Sequence, residues 1–377
     1  QPKLRDLQDP YQLPEMELAV ARILKAVDAN ESICVYGDYD VDGITSVALM
    51  KKILRAYGSD VHSFIPRRGP EGYGLSTIAL KRLFEENEHI DLLITVDCGT
   101  ASVEEVQKMN EKGIDVIIVD HHEMSPAGRP DCVALVNPKY KGGKFEYLCA
   151  AGVVFKLAHA LMIKRRAANV DLKDYIDMVA VATIADIVPL VDENRLLVRH
   201  GLMRLPETNN PGLKALQRVA GIKSKVSSMD VGFRVGPRLN AAGRMDEPAD
   251  ALTMLLTEDQ DEADAMAEVL DGYNVERQSL ERKIRDQALK MIEAHHDMEK
   301  ESVIVLGSKE WHPGVVGIVA SRLMRQFYKP TFIIAIDENG VGKGSGRSVD
   351  GVSLVTSIHA CDDYLVAGGG HDMAAGI

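Results

Sequence analysis

The chain has 377 residues, which at roughly 100–200 residues per domain predicts two or three domains. Hydrophobic residues make up 46% and charged residues 27%, a balance that excludes a disordered chain and a small disulfide-stapled one. The net charge of −12 excludes a protein that coats nucleic acid by bulk positive charge, while leaving room for one that binds it in a locally positive or metal-lined cleft.

Met16, Val20, Ile23, Leu24 and Val27 recur at helical spacing and predict a helix over 15–29. The apolar run 32–36, closed by Gly-Asp, predicts a buried strand, and 45–57 predicts the helix after it, stopped by Gly58. The pattern continues with strand 61–66, helix 75–88, strand 91–96, helix 103–112 and strand 115–119. Such alternation predicts βαβ units and a parallel sheet, with the apolar helices 151–165 and 175–184 available to cover it. Residues 205–255 carry Pro, Gly and Asn that break the periodicity, and no elements are assigned there. Residues 259–301 are strongly charged, with Leu280, Ile284, Ala288 and Met291 on one face; they predict a long helix linking two domains or lying across them. Strand 303–307, helix 315–324, strand 331–336, a Gly-rich stretch at 342–348 and a helix over 352–359 complete a smaller α/β unit. The expected division is 1–257, a connecting helix 258–301, and 302–377.

Asp38, Asp40 and Asp42 stand at alternate positions in Val35-Tyr36-Gly37-Asp38-Tyr39-Asp40-Val41-Asp42-Gly43. They follow a strand and precede a helix, where ligands collect in α/β sheets. Like charges this close repel, more so when buried, and divalent cations resolve the conflict; the plainer alternative is a solvated turn with a capping Asp. An EF-hand fails, because Ile-Thr-Ser-Val-Ala follows Gly43. The pattern then recurs. Strand 92–96 ends in Asp97, strand 116–119 ends in Asp120-His121-His122, and the apolar stretch 178–184 ends in Asp186. Singly a cap or turn explains each; jointly a metal site does so better. Mixed carboxylate and imidazole ligands suit Mn²⁺, Fe²⁺ or Zn²⁺, and a pure oxygen site suits Mg²⁺. The ligands exceed the needs of one ion, and two ions about 3.5–4 Å apart sharing a carboxylate fit phosphoryl hydrolysis.

In the second domain, 342–346 with Arg347 and Ser348 offers backbone N–H groups, a guanidinium and a hydroxyl able to cradle phosphate, with a plain turn as the alternative. Gly368-Gly369-Gly370-His371 is a second close-approach loop, where His371 reads as a phosphate contact ahead of a metal ligand, with a helix-entry turn as the alternative. Arg67, Arg68, Arg238 and Arg244 are candidate phosphate contacts or ordinary surface arginines. Trp311, the one tryptophan, reads as core or domain contact ahead of base stacking. The five cysteines form no CxxC pair, which argues against structural zinc and for a reducing, cytoplasmic compartment. Nothing resembles a signal peptide or a membrane span. The chain opens without Met and stops after a Gly-rich segment, so both ends read as cuts in a longer protein.

These motifs resemble the DHH phosphoesterase superfamily, and within it the RecJ family of single-strand-specific exonucleases. The triplet Asp120-His121-His122 is joined by Asp38-Tyr39-Asp40-Val41-Asp42-Gly43, Val96-Asp97-Cys98-Gly99 and Ala182-Thr183-Ile184-Ala185-Asp186. Arg67-Arg68-Gly69-Pro70-Glu71-Gly72-Tyr73-Gly74-Leu75, Gly236-Pro237-Arg238-Leu239-Asn240-Ala241-Ala242-Gly243-Arg244, Trp311-His312-Pro313-Gly314, Gly344-Ser345-Gly346-Arg347-Ser348 and 368–376 extend it in family order. The resemblance implies two α/β domains, a DHH domain with a parallel sheet and a smaller DHHA1-like domain, joined by a long helix with the active site in the cleft between them. It implies one ion on Asp40 and Asp97 with Asp38 nearby, and a second on Asp42, Asp97, His121 and Asp186. Asp97 would bridge, and His122 would face the scissile phosphate. Substrate contacts are expected from Arg67, Arg238, Asn240, Arg244, Ser345, Arg347, Ser348 and His371. The implied activity is Mn²⁺- or Mg²⁺-dependent degradation of single-stranded DNA from its 5′ end to 5′-mononucleotides, in repair and recombination. A monomer is expected, with a single-strand-binding protein and a helicase as candidate partners. Family members carry an OB-fold beyond the Gly-Gly-His segment, outside this sequence. The competing expectations are a relative acting on short oligonucleotides or cyclic dinucleotides, and an inactive replication scaffold, which would have lost ligands.

Overall fold

Five apolar runs form one sheet: β1 (Ile33–Gly37), β2 (His62–Phe64), β3 (Leu92–Val96), β4 (Asp115–Val119) and β5 (Ala134–Val136), in the order β2-β1-β3-β4-β5 and parallel throughout. The computed structural model describes residues 3–69, 71–142, 144–168, 170–245 and 247–377, so Pro70 of the Arg67–Leu75 segment lies outside the described residues. It divides into two units, Gln1–Gly272 and Tyr273–Ile377. β1 and β3 are buried along their whole length, as expected of a sheet covered on both faces by crossover helices. The register pairs Gly37 with Val96 and Val96 with Val119. The residues just beyond β1, β3 and β4 therefore emerge level, at one edge of the sheet. The chain runs outward from β1 to β2 in one direction and returns to β3 on the other side. This is the topological switch point, where α/β sheets place their ligands.

The crossover helices are α2 (Val41–Ala56), α3 (Thr77–Glu86) and α4 (Val103–Glu111); α1 (Met16–Ala29) precedes the sheet in the chain, and α5 (Ala150–Lys164) and α6 (Ile176–Ala185) follow it. α7 (Asp192–Arg204) follows, and the segment left unassigned by periodicity is helical: α8 (Pro211–Val219), α9 (Ser228–Asp230), a π turn (Val231–Val235), α10 (Gly236–Arg244) and α11 (Pro248–Leu256). Pro211 and Pro248 sit in first turns, where the missing N–H is no loss, and Asn210 caps α8 by accepting from the Leu213 N–H. Pro237 lies within a continuous helical run, directly after the π turn.

α12 (Gln260–His295) is the long charged helix, and the division between the units falls within it. In the second unit β6 (Ile304–Ser308), β7 (Thr331–Ile336), β8 (Gly342–Arg347), β9 (Gly369–Gly370) and β10 (Ala374–Gly376) form a mixed sheet in the order β6-β7-β8-β10-β9. α13 (Val316–Phe327) and α14 (Leu354–His359) complete it. Ile304, Leu306, Val319, Leu323 and Ile333 pack against Ile284, Ala288 and Ile292 of α12. Trp311 belongs to this core, its indole N–H donating to Gln287 Oε1 at 2.8 Å. Two glycine-rich segments are strands, neither a plain turn nor a loop. Gly342–Arg347 is strand β8, paired with β7 and β10, and Gly369–Gly370 is a short strand paired with β10. The physical reason is space: side chains at Gly344 and Gly346 would collide with Ile334 and Phe332 of the neighbouring strand. Among the described residues no helix is long and apolar enough to cross a membrane.

Candidate metal centre

Each acidic residue at the sheet edge is placed by a local rule. Asp38, just beyond β1, is buried and accepts the backbone N–H groups of Tyr39 and Gly74. Asp40 caps α2, with Oδ1 accepting from Asp42 N–H (2.9 Å) and Gly43 N–H (3.1 Å). Asp42, in the first turn of α2, accepts from Ala150 N–H (2.7 Å) and Ala151 N–H (2.9 Å) at the start of α5, where a helix dipole favours negative charge. Asp97 follows β3 with φ of 60°, the left-handed region that Asp tolerates better than most residues. Asp186 ends α6.

These groups converge on His121, whose Nε2 lies 3.3 Å from Asp97 Oδ1, 3.7 Å from Asp186 Oδ2 and 3.8 Å from Asp42 Oδ2. Three overlapping sets bring their donor atoms within 4.8 Å of one another: Asp38, Asp40 and Asp97; Asp42, His121 and Asp186; Asp97, His121 and His122. Asp97 belongs to two of the sets, joining the Asp38–Asp40 side to the His121 side.

Among the described residues Asp38 Oδ1, Asp97 Oδ1, His121 Nε2 and Asp186 Oδ2 are buried without a hydrogen-bond partner. Orphaned polar atoms cost free energy wherever they are buried, and four spread over donor sets linked by Asp97 and His121 fit cations. The electrostatics agree. Burial, with Asp40 adding, pushes the Asp42 carboxyl up to about 7. Burial, then Asp42 and Asp40, pushes Asp186 up to about 8, and Asp38 and Asp97 are raised for the same reasons. Burial, with His122 adding, lowers His121 to about 4, which leaves a neutral imidazole suited to ligation.

His122 differs. Its Nδ1 lies 2.7 Å from Asp120 Oδ1 and its Nε2 2.9 Å from the Tyr73 hydroxyl, so both nitrogens are occupied. Burial works to lower it, but the Asp120 charge and hydrogen bond outweigh burial and carry it up to about 9. Burial would raise Asp120, yet His122 holds its carboxyl well below the usual range. Asp120 also accepts the N–H groups of His121 (2.7 Å) and Thr100 (3.0 Å). Asn137 ties this arrangement down by donating to the His122 carbonyl (2.9 Å) and Thr100 Oγ1 (3.0 Å). Sequence reasoning missed Asp120 as a support, along with Tyr73, Thr100 and Asn137. For Tyr73 a signal existed, since it stands between Gly72 and Gly74, both at positive φ.

The other expected site residues are dispersed. Arg67 is exposed, its backbone N–H bound to Glu71, while the Arg68 guanidinium stacks 5.2 Å over the Tyr39 ring. Arg244 acts electrostatically on Tyr39. Asn240 Oδ1 accepts the Val41 N–H (3.2 Å), fastening α10 to the acidic turn, and the Arg238 guanidinium is taken up by Asp271 (2.7 Å). In the second unit Arg347 donates to Ser345 Oγ (2.9 Å) and the Gly346 carbonyl (2.7 Å), and His371 is exposed. Ser348, expected as a substrate contact, is buried, and its hydroxyl donates to the Val352 carbonyl at 2.7 Å.

A parallel sheet with acidic strand ends, an aspartate shared between two donor sets and an adjoining Asp-His-His turn define the DHH class of phosphoesterases. The profile of the DHH family, N-terminal domain, matches residues 32–183, and that of the DHHA1 domain matches residues 300–377. The single-stranded-DNA-specific exonuclease RecJ of Bacillus subtilis (strain 168) is 42% identical over 377 residues, covering 99% of this chain and 46% of that protein. The RecJ of Haemophilus influenzae (strain ATCC 51907 / DSM 11121 / KW20 / Rd) is 37% identical, covering 99% of this chain and 68% of that protein. A crystal structure of exonuclease RecJ bound to manganese superposes with a TM-score of 0.85 at 38% identity, covering 97% of this chain and 90% of that one. The chain belongs to the RecJ family of single-stranded-DNA-specific exonucleases. It spans about half to two thirds of the length of these curated relatives.

Proposed function

We propose that the chain is a two-metal exonuclease that hydrolyses single-stranded DNA from its 5′ end and releases 5′-mononucleotides, serving repair and recombination. The observation that carries this reading is the set of four orphaned donor atoms around Asp97 and His121. Mn²⁺ or Mg²⁺ fits these oxygen and imidazole donors. Asp40 and Asp97, with Asp38 nearby, would hold one ion; Asp42, Asp97, His121 and Asp186 would hold the other. When bound, such a pair lowers the pKa of a water and offsets charge on the phosphate oxygens. Asp42 is held in register by the α5 N–H groups, and Asp97 by its left-handed turn, so the donor set is preorganised. His122, kept cationic by Asp120 while its Nε2 stays on the Tyr73 hydroxyl, places positive charge beside the phosphoryl oxygens, where negative charge develops.

Arg67 and Arg244 contact the nucleic-acid backbone, Arg238 and Asn240 brace α10 beside them, and Ser345, Arg347 and His371 offer phosphate contacts from the second unit. The cysteines, four buried and Cys361 exposed, are all free, which supports a reducing cytoplasm. The family's service in repair supports a single-strand-binding protein and a helicase as partners of a monomeric enzyme. The test is product analysis on 5′- and 3′-end-labelled strands of several lengths with Mn²⁺. Mononucleotides released progressively from the 5′ end are expected. Cleavage confined to oligonucleotides of a few residues, or no cleavage of any strand, would overturn the reading.

A further inference from the structure

Tyr73 stands on a connection that is fastened on both sides. Glu71 accepts from Arg82 Nε (2.5 Å) and NH2 (2.9 Å) and from the Arg67 N–H (2.7 Å). Ser76 Oγ donates to the Glu71 carbonyl (2.7 Å), and the buried Tyr36 hydroxyl donates to the Gly74 carbonyl (2.8 Å). Gly72 and Gly74, with φ of 83° and 68°, take the turns on either side. Between these anchors Tyr73 is 56% exposed. Its ring meets Tyr39 and His122 edge-on, at 6.3 and 5.9 Å between centroids. A rigidly held aromatic residue that leaves about half of its surface open gains less from its own packing than a buried one, so its open surface is available to a ligand. That ligand is specified by the neighbour: the Tyr73 hydroxyl sits 2.9 Å from Nε2 of His122, whose ring stands beside the scissile phosphate in the proposed function.

We propose that Tyr73 is the stacking platform for the base of the nucleotide being released, and that its hydroxyl positions the His122 ring. The proposal rests on that functional reading and deepens it. A base within a duplex has its faces covered by neighbouring bases and its edge paired, whereas a frayed or single-stranded terminal base can turn onto the ring. Tyr73 then contributes to strand selectivity at the first nucleotide. Stacking on an aromatic side chain is sequence-tolerant, so the platform accepts any base.

The two roles separate in Tyr73→Phe and Tyr73→Leu, assayed on a 5′-phosphorylated strand and on the same strand with an abasic terminal nucleotide. Turnover is measured with Mn²⁺, and affinity by fluorescence anisotropy without divalent ion. Tyr73→Phe keeps the ring and loses the hydroxyl, so kcat should fall about tenfold with KM and affinity unchanged. Tyr73→Leu should also weaken affinity and raise KM about tenfold for the normal strand, while the abasic strand binds Phe and Leu variants alike. Restoration by Phe of the affinity lost in Leu identifies the ring as the contact. Equal Phe and Leu affinities for the normal strand, or an equal loss on both strands, would overturn the proposal while leaving the exonuclease reading intact. A wild-type protein that cuts no single strand would overturn both.

Discussion

At Asp97 a left-handed backbone, a buried carboxylate and an orphaned oxygen coincide. Asparagine keeps the shape and tolerates the backbone, so Asp97→Asn should fold. It should lose Mn²⁺ affinity beyond the roughly 10- to 100-fold typical of an outer-sphere partner, and melt higher than wild type in chelator, because one buried like charge is gone. Calorimetric Mn²⁺ titration and thermal melts check both. His121→Ala should weaken metal binding directly, whereas His122→Ala should cut turnover with metal affinity nearly intact; equal metal loss in the two would contradict their separate surroundings. The raised groups fix a pH dependence as well. Asp42, Asp186 and His122 titrate in the folded metal-free protein near 7, 8 and 9, above their unfolded values. Each therefore stabilises the fold at low pH, and that stability is lost as pH rises through the folded value. His121, lowered to about 4, opposes this trend only below about 6.5. From pH 6.5 to 8.5 the metal-free protein should lose about 2 °C or more in Tm per pH unit, and Mn²⁺ should flatten the slope while releasing protons. The ligand candidates were legible because each stands where an apolar run stops. Asp120 was not separable from them, since sequence spacing carries no sign that its oxygens face backbone N–H groups and an imidazole.

Among elements, β1, β3 and β4 were legible as apolar runs bounded by Gly and Asp, while β5 has only three residues, too few for a period to register. Residues 205–255 defeated the periodicity because Pro211, Pro248 and Asn210 mark helix starts rather than interruptions, and a π turn before Pro237 shifts the helical phase. β8 looked like a loop because its glycines are required by neighbouring side chains and not by a turn. The same close packing makes α10 testable. A Cβ at Gly243 would overlap the Tyr39 carbonyl, and backbone yields less readily than a side chain. Gly243→Ala should displace α10 from the turn carrying Asp38, Asp40 and Asp42, destabilise by about 1–3 kcal/mol, and lower Mn²⁺ affinity although no ligand is changed. A variant with wild-type metal affinity would show that the turn holds itself in place without α10.

At the scale of the molecule, the metal donors lie in Gln1–Gly272 and the mixed sheet in Tyr273–Ile377. Binding stabilises only the unit that carries the site. Scanning calorimetry should therefore resolve two transitions, with Mn²⁺ at about 100 times its dissociation constant adding about 2.7 kcal/mol to one and leaving the other where chelator leaves it. Co-migration of both transitions with metal would mean that the units unfold as one. The sole tryptophan turns this division into an optical instrument. Trp311 is sealed in the second unit's core with its indole N–H on Gln287, so its emission reports that unit and is blind to the other. Stripping the metal should lower the helical circular dichroism signal on mild heating before the emission colour changes. Comparing the two signals across a denaturant series then reads the order in which the halves come apart, with no label attached.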